Sequence, residues 1–371
     1  MDVNDIKSII LRNYEAGLKY TVVMLGPPGI GKTESMEQLA RELALKLGKT
    51  FIRYDDSKLQ EILANPDKYF VFISFPLMTT EPVDLTGIPK EMNGFVQYKP
   101  LAWVAVLTRC AGLLFLDEIT NLQRPDVQSA TLKILQEHEV GYLLLHQDVQ
   151  VVAAGNKPKG YKGGSNLAGQ LPDPLFYGKA LIFEVDPPTL ERWIAYMDES
   201  KVEWDRRVAA FLRKFPDKFF TERQGDPFIP SACPRSWTRV ARLMLHYRDD
   251  ELQSILSSLL DPDTTTLFVT FVQTQVPELK ELVENPSKWD TLKLDAKYLI
   301  SSQLSKFAPK ELVDKYAPIL RHLAVHDREF LQVTISLYPR ERRRELVAEI
   351  RRLPDVFQTL VEITKTVFGM V

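Results

Sequence analysis

The stretch from Gly26 to Thr33 constrains the fold of this chain more than any other feature. It reads Gly26, Pro27, Pro28, Gly29, Ile30, Gly31, Lys32, Thr33, meeting the pattern G-x-x-x-x-G-K-[ST] at every specified position. The apolar run Thr21 to Leu25 precedes it. From Thr33 to Leu47, apolar residues recur at Met36, Leu39, Ala40, Leu43, Ala44 and Leu47. That spacing predicts one apolar stripe along a helix, stopped by Gly48. Strand, glycine loop and helix in immediate succession suit phosphate. Glycines let successive backbone N–H groups turn inward with no Cβ in the way, and the helix start adds its positive dipole end. In such a loop Lys32 reaches the β- and γ-phosphates and the Thr33 hydroxyl coordinates Mg²⁺. The nucleotide-contacting stretch runs from Gly26 to Glu34.

A phosphate loop alone specifies no reaction. The second signal is the strand Gly112 to Leu116, ending in Asp117 and Glu118. An apolar strand of this kind buries everything before Asp117, which then emerges at the sheet's carboxyl end and can hold Mg²⁺ directly or through water. Glu118 is placed to orient or deprotonate an attacking water as general base. The third signal is Asn156, after Val151 to Gly155. A neutral amide there can sense the γ-phosphate without competing for the metal. Taken separately, two acids ending a strand can be merely solvated, and Asn-Lys-Pro can be merely a turn.

Five continuous apolar runs read as parallel strands buried on both faces: Thr21 to Leu25, Tyr69 to Phe75, Leu113 to Leu116, Val149 to Ala154 and Ala180 to Val185. Helical stretches at Thr33 to Leu47, Asp55 to Asp67, Pro100 to Ala111 and Pro125 to Glu137 separate them, the alternation of an α/β domain. After Val185 the strand signal stops, and Thr189 to Ser200, Trp204 to Phe215, Arg235 to His246 and Asp250 to Leu260 all read as helices. The expected domains are an α/β core over 1–187, a helical domain over 188–260 and a helical extension over 261–371.

Composition excludes several classes. The 371 residues carry 47 Lys plus Arg against 49 Asp plus Glu, so a whole-chain electrostatic grip on nucleic acid or anionic membrane is not expected. Two cysteines, Cys110 and Cys233, are too few for a disulfide framework or a four-ligand zinc site and fit a reducing compartment. No apolar run approaches the roughly 18 residues of a membrane span. The mixed, charged Met1 to Tyr20 is unlike a signal peptide. A soluble cytoplasmic protein is expected.

The residues Gly26 to Thr33, Leu113 to Glu118 and Val151 to Asn156, with helices after them, resemble the AAA+ ATPases, specifically their MoxR-like (dynein-related) group. The segments Pro82 to Pro89 and Gly94 to Pro100 resemble the stretch beyond the second strand in that group. Asp126 to Ala130 and Gln136 to Gly141 resemble its next helix and hairpin. The stretch Cys233 to Arg239 resembles its sensor 2 helix, which places Arg235 on the γ-phosphate. The resemblance implies a P-loop αβα core with a five-stranded parallel sheet in the order 5-1-4-3-2, a helical lid and an all-α extension. It implies ATP/ADP and Mg²⁺ as ligands, ATP hydrolysis, a ring (usually a hexamer), and remodelling or activation of a client, often a von Willebrand factor A domain protein. One departure stands out. Where that group carries a trans-acting arginine before the fifth strand, Leu171 to Ala180 has none, leaving Lys179 or Arg124 as candidates. Lys lacks the planar fork of Arg, so hydrolysis is expected to be slow or partner-dependent. The alternatives are a nucleic-acid-linked machine of the helicase-loader or restriction-translocase kind, and a slowly hydrolysing scaffold.

Weaker features remain. Lys157, Lys159 and Lys162 lie in a glycine-rich loop from Lys157 to Pro174, expected to be solvated. Met78, Met92, Phe95 and Tyr98 lie between residues 78 and 99, either gripping a client, as the resemblance implies, or packing on the core as an ordinary hairpin. Six arginines between Arg340 and Arg352 alternate with Glu341, Glu345 and Glu349 at spacings that favour pairing along one helix. His322 and His326 are four apart, spaced for a metal but with no third ligand in sequence.

Overall fold

The apolar runs of the first half pair as parallel strands because both of their faces are covered. Val71 and Ile73 are buried on one face of their strand, and Phe70 and Phe72 on the other. The computed structural model describes residues 1–122, 124–157, 178–200, 202–221 and 228–368, divided into two units, Met1–Pro188 and Thr189–Val371.

In the first unit the strands are β1 (Val22–Leu25), β2 (Thr50–Arg53), β3 (Tyr69–Pro76), β4 (Ile88–Met92), β5 (Phe95–Lys99), β6 (Ala111–Asp117), β7 (Glu139–Val140), β8 (Leu143–Leu144), β9 (Val149–Gly155) and β10 (Leu181–Glu184). Its helices are α1 (Val3–Glu15), α2 (Lys32–Lys46), α3 (Leu59–Ala64), α4 (Pro82–Thr86), α5 (Ala102–Leu107) and α6 (Pro125–Glu137). The main sheet runs β10-β1-β9-β6-β3-β2, with every pairing parallel. It has six strands where five are expected. The addition is β2 at the edge, only Thr-Phe-Ile-Arg. Two apolar residues between polar ends are too short a run to read as a strand, and neither is fully buried; the Arg41 guanidinium covers Phe51 at 4.0 Å.

Helix α2 buries Met36, Leu39, Ala40, Leu43 and Ala44 and lies against β2, β3 and β6. Of these, Met36, Leu39 and Leu43, fully buried, contribute about 1.5–3 kcal/mol each. The stripe read from the sequence is therefore what fixes the glycine loop to the sheet.

Two hairpins stand outside the sheet. Strands β4 and β5 pair antiparallel through Asn93 and Gly94, both at positive φ (54° and 79°), the conformation that Asn-Gly supplies in a two-residue turn. All ten residues of β4 and β5 are exposed, Phe95 by 73%. The aromatics of this segment therefore do not pack on the core. Strands β7 and β8 form the second hairpin, and the rings of Tyr98 and Tyr142 meet across the two at 5.7 Å.

The second unit is helical: α7 (Leu190–Glu199), α8 (Arg207–Lys214), α9 (Pro234–Leu243), α10 (Leu252–Leu256), α11 (Pro262–Val272), α12 (Leu279–Glu284), α13 (Leu294–Leu304), α14 (Pro309–His326), α15 (Arg328–Ser336), α16 (Arg340–Ile350) and α17 (Pro354–Phe368). Proline opens α9, α11, α14 and α17, where its missing N–H would be unpaired anyway. In α14 Pro318 removes an interior hydrogen bond, and the helix kinks at Tyr316. One buried cluster runs from Trp193 to Val356, so the residues expected as a lid and those expected as an extension share a core. At its centre the Phe211 ring meets Trp237, Phe268 and Phe271 at 5.6, 4.8 and 5.5 Å.

The arginines of 340–352 do not pair chiefly with glutamates of their own helix. Arg340 meets Glu199 of α7 at 2.8 Å, Arg343 donates to the carbonyls of Tyr338 and Ser336, Arg342 to that of Phe307, and Arg352 reaches Asp314 of α14 at 2.7 Å. Arg352 also pairs along its own segment, with Glu349. Among the described residues no helix is long and apolar enough to cross a membrane.

Candidate functional site

The glycine loop leaves β1 at Leu25 and is tied at once to the neighbouring strand: the Gly26 N–H donates to the Gly155 carbonyl at 3.1 Å. This continues the β1–β9 ladder and sets the loop beside the strand that ends at Asn156. Five residues on, Gly31 caps α2 at φ +94°, a conformation that L side chains rarely adopt. No side chain caps this helix start, so its first N–H groups and positive dipole end offer an anion site of the kind helix N-termini provide.

At the next strand end, Asp117 closes β6. The Thr33 hydroxyl donates to Asp117 Oδ2 at 3.1 Å, and the Glu118 N–H donates to Asp117 Oδ1 at 2.9 Å. The Thr33 contact spans 84 positions of the sequence, and one carboxylate serves both donors. The pair fits Mg²⁺: both donors are hard oxygens, and this ion typically takes one or two carboxylates and completes its shell with water and substrate phosphate. Glu118 adopts φ +62°, ψ +33°, a left-handed conformation costing about 1–2 kcal/mol for a residue with a Cβ. It turns the chain sharply out of the strand.

Lys32 is buried, and its Nζ donates to the Gly26 and Pro27 carbonyls, each at 2.9 Å. Neutral carbonyls partner a desolvated charge less strongly than an anionic oxygen, whose charge-assisted bonds are about twice as strong. The lysine is thus held at the loop by groups a phosphate can replace.

Asn156 comes directly after the last residue of β9, and its backbone N–H donates to Thr120 Oγ1 at 3.0 Å. Thr120 lies in the turn after Glu118 and is buried. Sequence reading did not single it out; its only signal was a hydroxyl two residues beyond the paired acids. Nearby, Asn121 Oδ1 is buried and has no hydrogen-bond partner among the described residues.

The structure therefore brings together Gly26, Lys32, Thr33, Asp117, Glu118 and Asn156. Arg235 is exposed on the second unit, at the second position of α9. Lys179 is exposed. Arg124 is half-exposed and held within its own chain by Glu81 and by Asp126, the latter at 3.1 Å; these hydrogen bonds raise its pKa, Asp126 the more strongly. Lys157, expected in a solvated loop, is buried and ion-paired with Glu184 at the end of β10, because it follows β9 at the strands' carboxyl ends, where Glu184 and Gly155 are both level with Leu25. Lys159, Lys162 and residues 171–177 lie outside the described residues.

Elsewhere, the rings of His322 and His326 stack with centroids 4.5 Å apart, and His322 Nε2 bonds Asp290 at 2.9 Å. Among the described residues no group of three His, Cys, Asp or Glu is arranged to hold a metal. Both cysteines are free thiols, and burial pushes the Cys110 thiol up to about 11.

Loop, uncapped helix start, hydroxyl–carboxylate pair and strand-end amide supply the kinds of groups that phosphate and a hard divalent ion require. No protein-family model matches the chain, and no curated protein does. Among solved structures, the chain is similar to ORC2 of Aeropyrum pernix in ADPNP–ADP complexes (15% identity, 95% of this chain and 85% of that one, TM-score 0.35). It is similar to NtrX of Brucella abortus with ADP (14%, 95% and 68%, TM-score 0.35) and to C. elegans PCH-2 (11%, 72% and 66%, TM-score 0.32), so it spans just under two thirds of the PCH-2 chain.

Proposed function

We propose that the first unit binds and hydrolyses ATP with Mg²⁺, as an ATPase of AAA+ type. The observation that supports this reading best is the Thr33–Asp117 contact at 3.1 Å, with the loop that carries Thr33 tied to the Asn156 strand. Lys32 and the N–H groups opening α2 hold the β- and γ-phosphate oxygens. Thr33 and Asp117 hold the metal, whose positive charge neutralises the phosphates when bound. Glu118 takes the proton of the attacking water, and Asn156 hydrogen-bonds the γ-phosphate or that water. Arg235 is the proposed further γ-phosphate contact, on the resemblance alone.

At the finer level the proposal is a MoxR-like protein that assembles in a ring, in the cytoplasm, and remodels or activates a client of the von Willebrand factor A kind. The exposed β4–β5 hairpin, with the exposed Tyr142, Leu143 and Leu144 of the second hairpin, suits contact with such a client. A nucleic-acid machine is the weaker reading, since several arginines of 340–352 are engaged within the chain. Slow or partner-dependent turnover is favoured by Arg124, which must release Glu81 and Asp126 to act on a neighbour's nucleotide.

Phosphate release by the purified full chain with Mg·ATP tests the core of this reading. Lys32→Ala is expected to abolish turnover. In the assembled protein Arg124→Ala and Lys179→Ala separate the two candidate fingers, and unchanged turnover in both removes them from the mechanism.

A further inference from the structure

We propose that Thr120 is a positioning residue that locks the Glu118 turn to the Asn156 strand end, so that the base and the phosphate-sensing amide hold one geometry. The inference rests on the ATPase reading above and adds a residue to that same site.

Three observations bear on this residue. Its Oγ1 accepts the Asn156 backbone N–H at 3.0 Å. Its own turn is closed by the Asn121 N–H donating to the Glu118 carbonyl at 2.9 Å, so Thr120 moves with Glu118. Its Oγ1 and Cγ2 also occupy the space a side chain at position 155 would need: a Cβ on Gly155 would lie 2.7 Å from each. Gly155 has no positive φ, so this glycine answers to close approach rather than to backbone conformation. Thr120 and Gly155 are matched: the hydroxyl reaches the Asn156 amide because position 155 presents no Cβ.

The same joint extends to the phosphate loop, because the Gly155 carbonyl accepts the Gly26 N–H. One short connection thus links loop, acid turn and amide. A γ-phosphate that pulls on Asn156 displaces Glu118 through Thr120, and loss of the hydroxyl leaves each free to settle separately. Small misplacements of a base relative to its water are costly in rate.

Thr120→Val keeps the shape and removes the acceptor, taking the hydroxyl from the half-buried Asn156 N–H; Thr120→Ser keeps the acceptor. Losing such a contact typically costs enough to change a rate by about tenfold or somewhat more. We expect Thr120→Val to lower kcat by about that factor while ATP and ADP affinities stay within about twofold, and Thr120→Ser to restore most of the rate. Hydrogen exchange at the Asn156 amide of the nucleotide-free protein is expected to quicken about tenfold in Thr120→Val only. Gly155→Ala tests the match: it should impair folding or turnover alone, with folding but not turnover relieved by Thr120→Ala. If the unaltered chain hydrolyses ATP and Thr120→Val does so equally fast, the positioning role is overturned and the ATPase reading stands. If the unaltered chain binds Mg·ATP without measurable turnover, exchange at the Asn156 amide alone decides the positioning role; if it neither binds nor hydrolyses Mg·ATP, both fall.

Discussion

At the carboxyl ends of β1, β6 and β9 the polar groups are held by contacts a ligand can replace: Thr33 to one carboxylate oxygen, Lys32 to loop carbonyls, and the start of α2 with no side-chain cap. The second unit handles charge differently. Asp198, almost fully buried, takes the Arg206 guanidinium at 2.6 Å and the Arg340 N–H at 3.0 Å, with Arg343 at 3.9 Å and Arg206 laid over Trp204 at 3.8 Å. Burial and the neighbouring guanidiniums lower the pKa of Arg206, and Asp198 opposes them. The contrast teaches how to separate a ligand site from a structural knot in one chain. Where contacts are few, short-reaching and aimed at loop backbone, a ligand can substitute for them. Where charges are buried and doubly engaged, removal of one leaves its partner stranded in low dielectric.

The sharpest way to break this comparison is to remove one group from each region. Glu118→Gln should lower ATP turnover by about 10²–10⁴-fold, the usual contribution of a positioned base, while nucleotide binding and the denaturation midpoint stay close to those of the parent. Asp198→Ala should do the reverse, destabilising the second unit by about 3–5 kcal/mol, read by urea unfolding. If Glu118→Gln unfolds the protein, or Asp198→Ala leaves stability intact, the distinction is wrong.

A smaller effect concerns His138, left-handed at the end of α6 (φ +53°) and bonded through Nε2 to Thr21 Oγ1 at 2.9 Å. Burial lowers its pKa from 6.5. The unfolded chain therefore takes up the proton first as pH falls, so the stability tied to the neutral ring is complete above about pH 6.5 and declines below it. His138→Asn, which tolerates the left-handed backbone, should flatten the loss of stability between about pH 7.5 and about pH 5.5. A profile matching the parent's would remove His138 as its source.

Much of the candidate site's local geometry was legible because it depends on short-range chemistry. The glycine loop needs its glycines, Asp117 and Glu118 interrupt an apolar run, and Asn156 ends another. The stripe Met36, Leu39, Leu43 announced α2 through its period. The parts that escaped depended on tertiary placement. Strand β2 has only two apolar residues, at a sheet edge. Thr120 and Gly155 match only across strands. Lys157 looked like a loop lysine until β9 carried it against Glu184. The arginine run read as a helix pairing with itself, yet several of its guanidiniums reach α7, α14 and loop carbonyls, contacts that i,i+4 spacing does not encode.

The central claim is that the loop at 26–33 and the carboxylate of Asp117 clamp one triphosphate with its metal. Calorimetric titration of the full chain with ATP, with and without Mg²⁺, measures this directly. The account predicts one ATP per chain, tightened by Mg²⁺, with the metal's contribution lost in Thr33→Val and in Asp117→Asn and all binding lost in Lys32→Ala. Absence of nucleotide uptake, or uptake indifferent to all three substitutions, would contradict it.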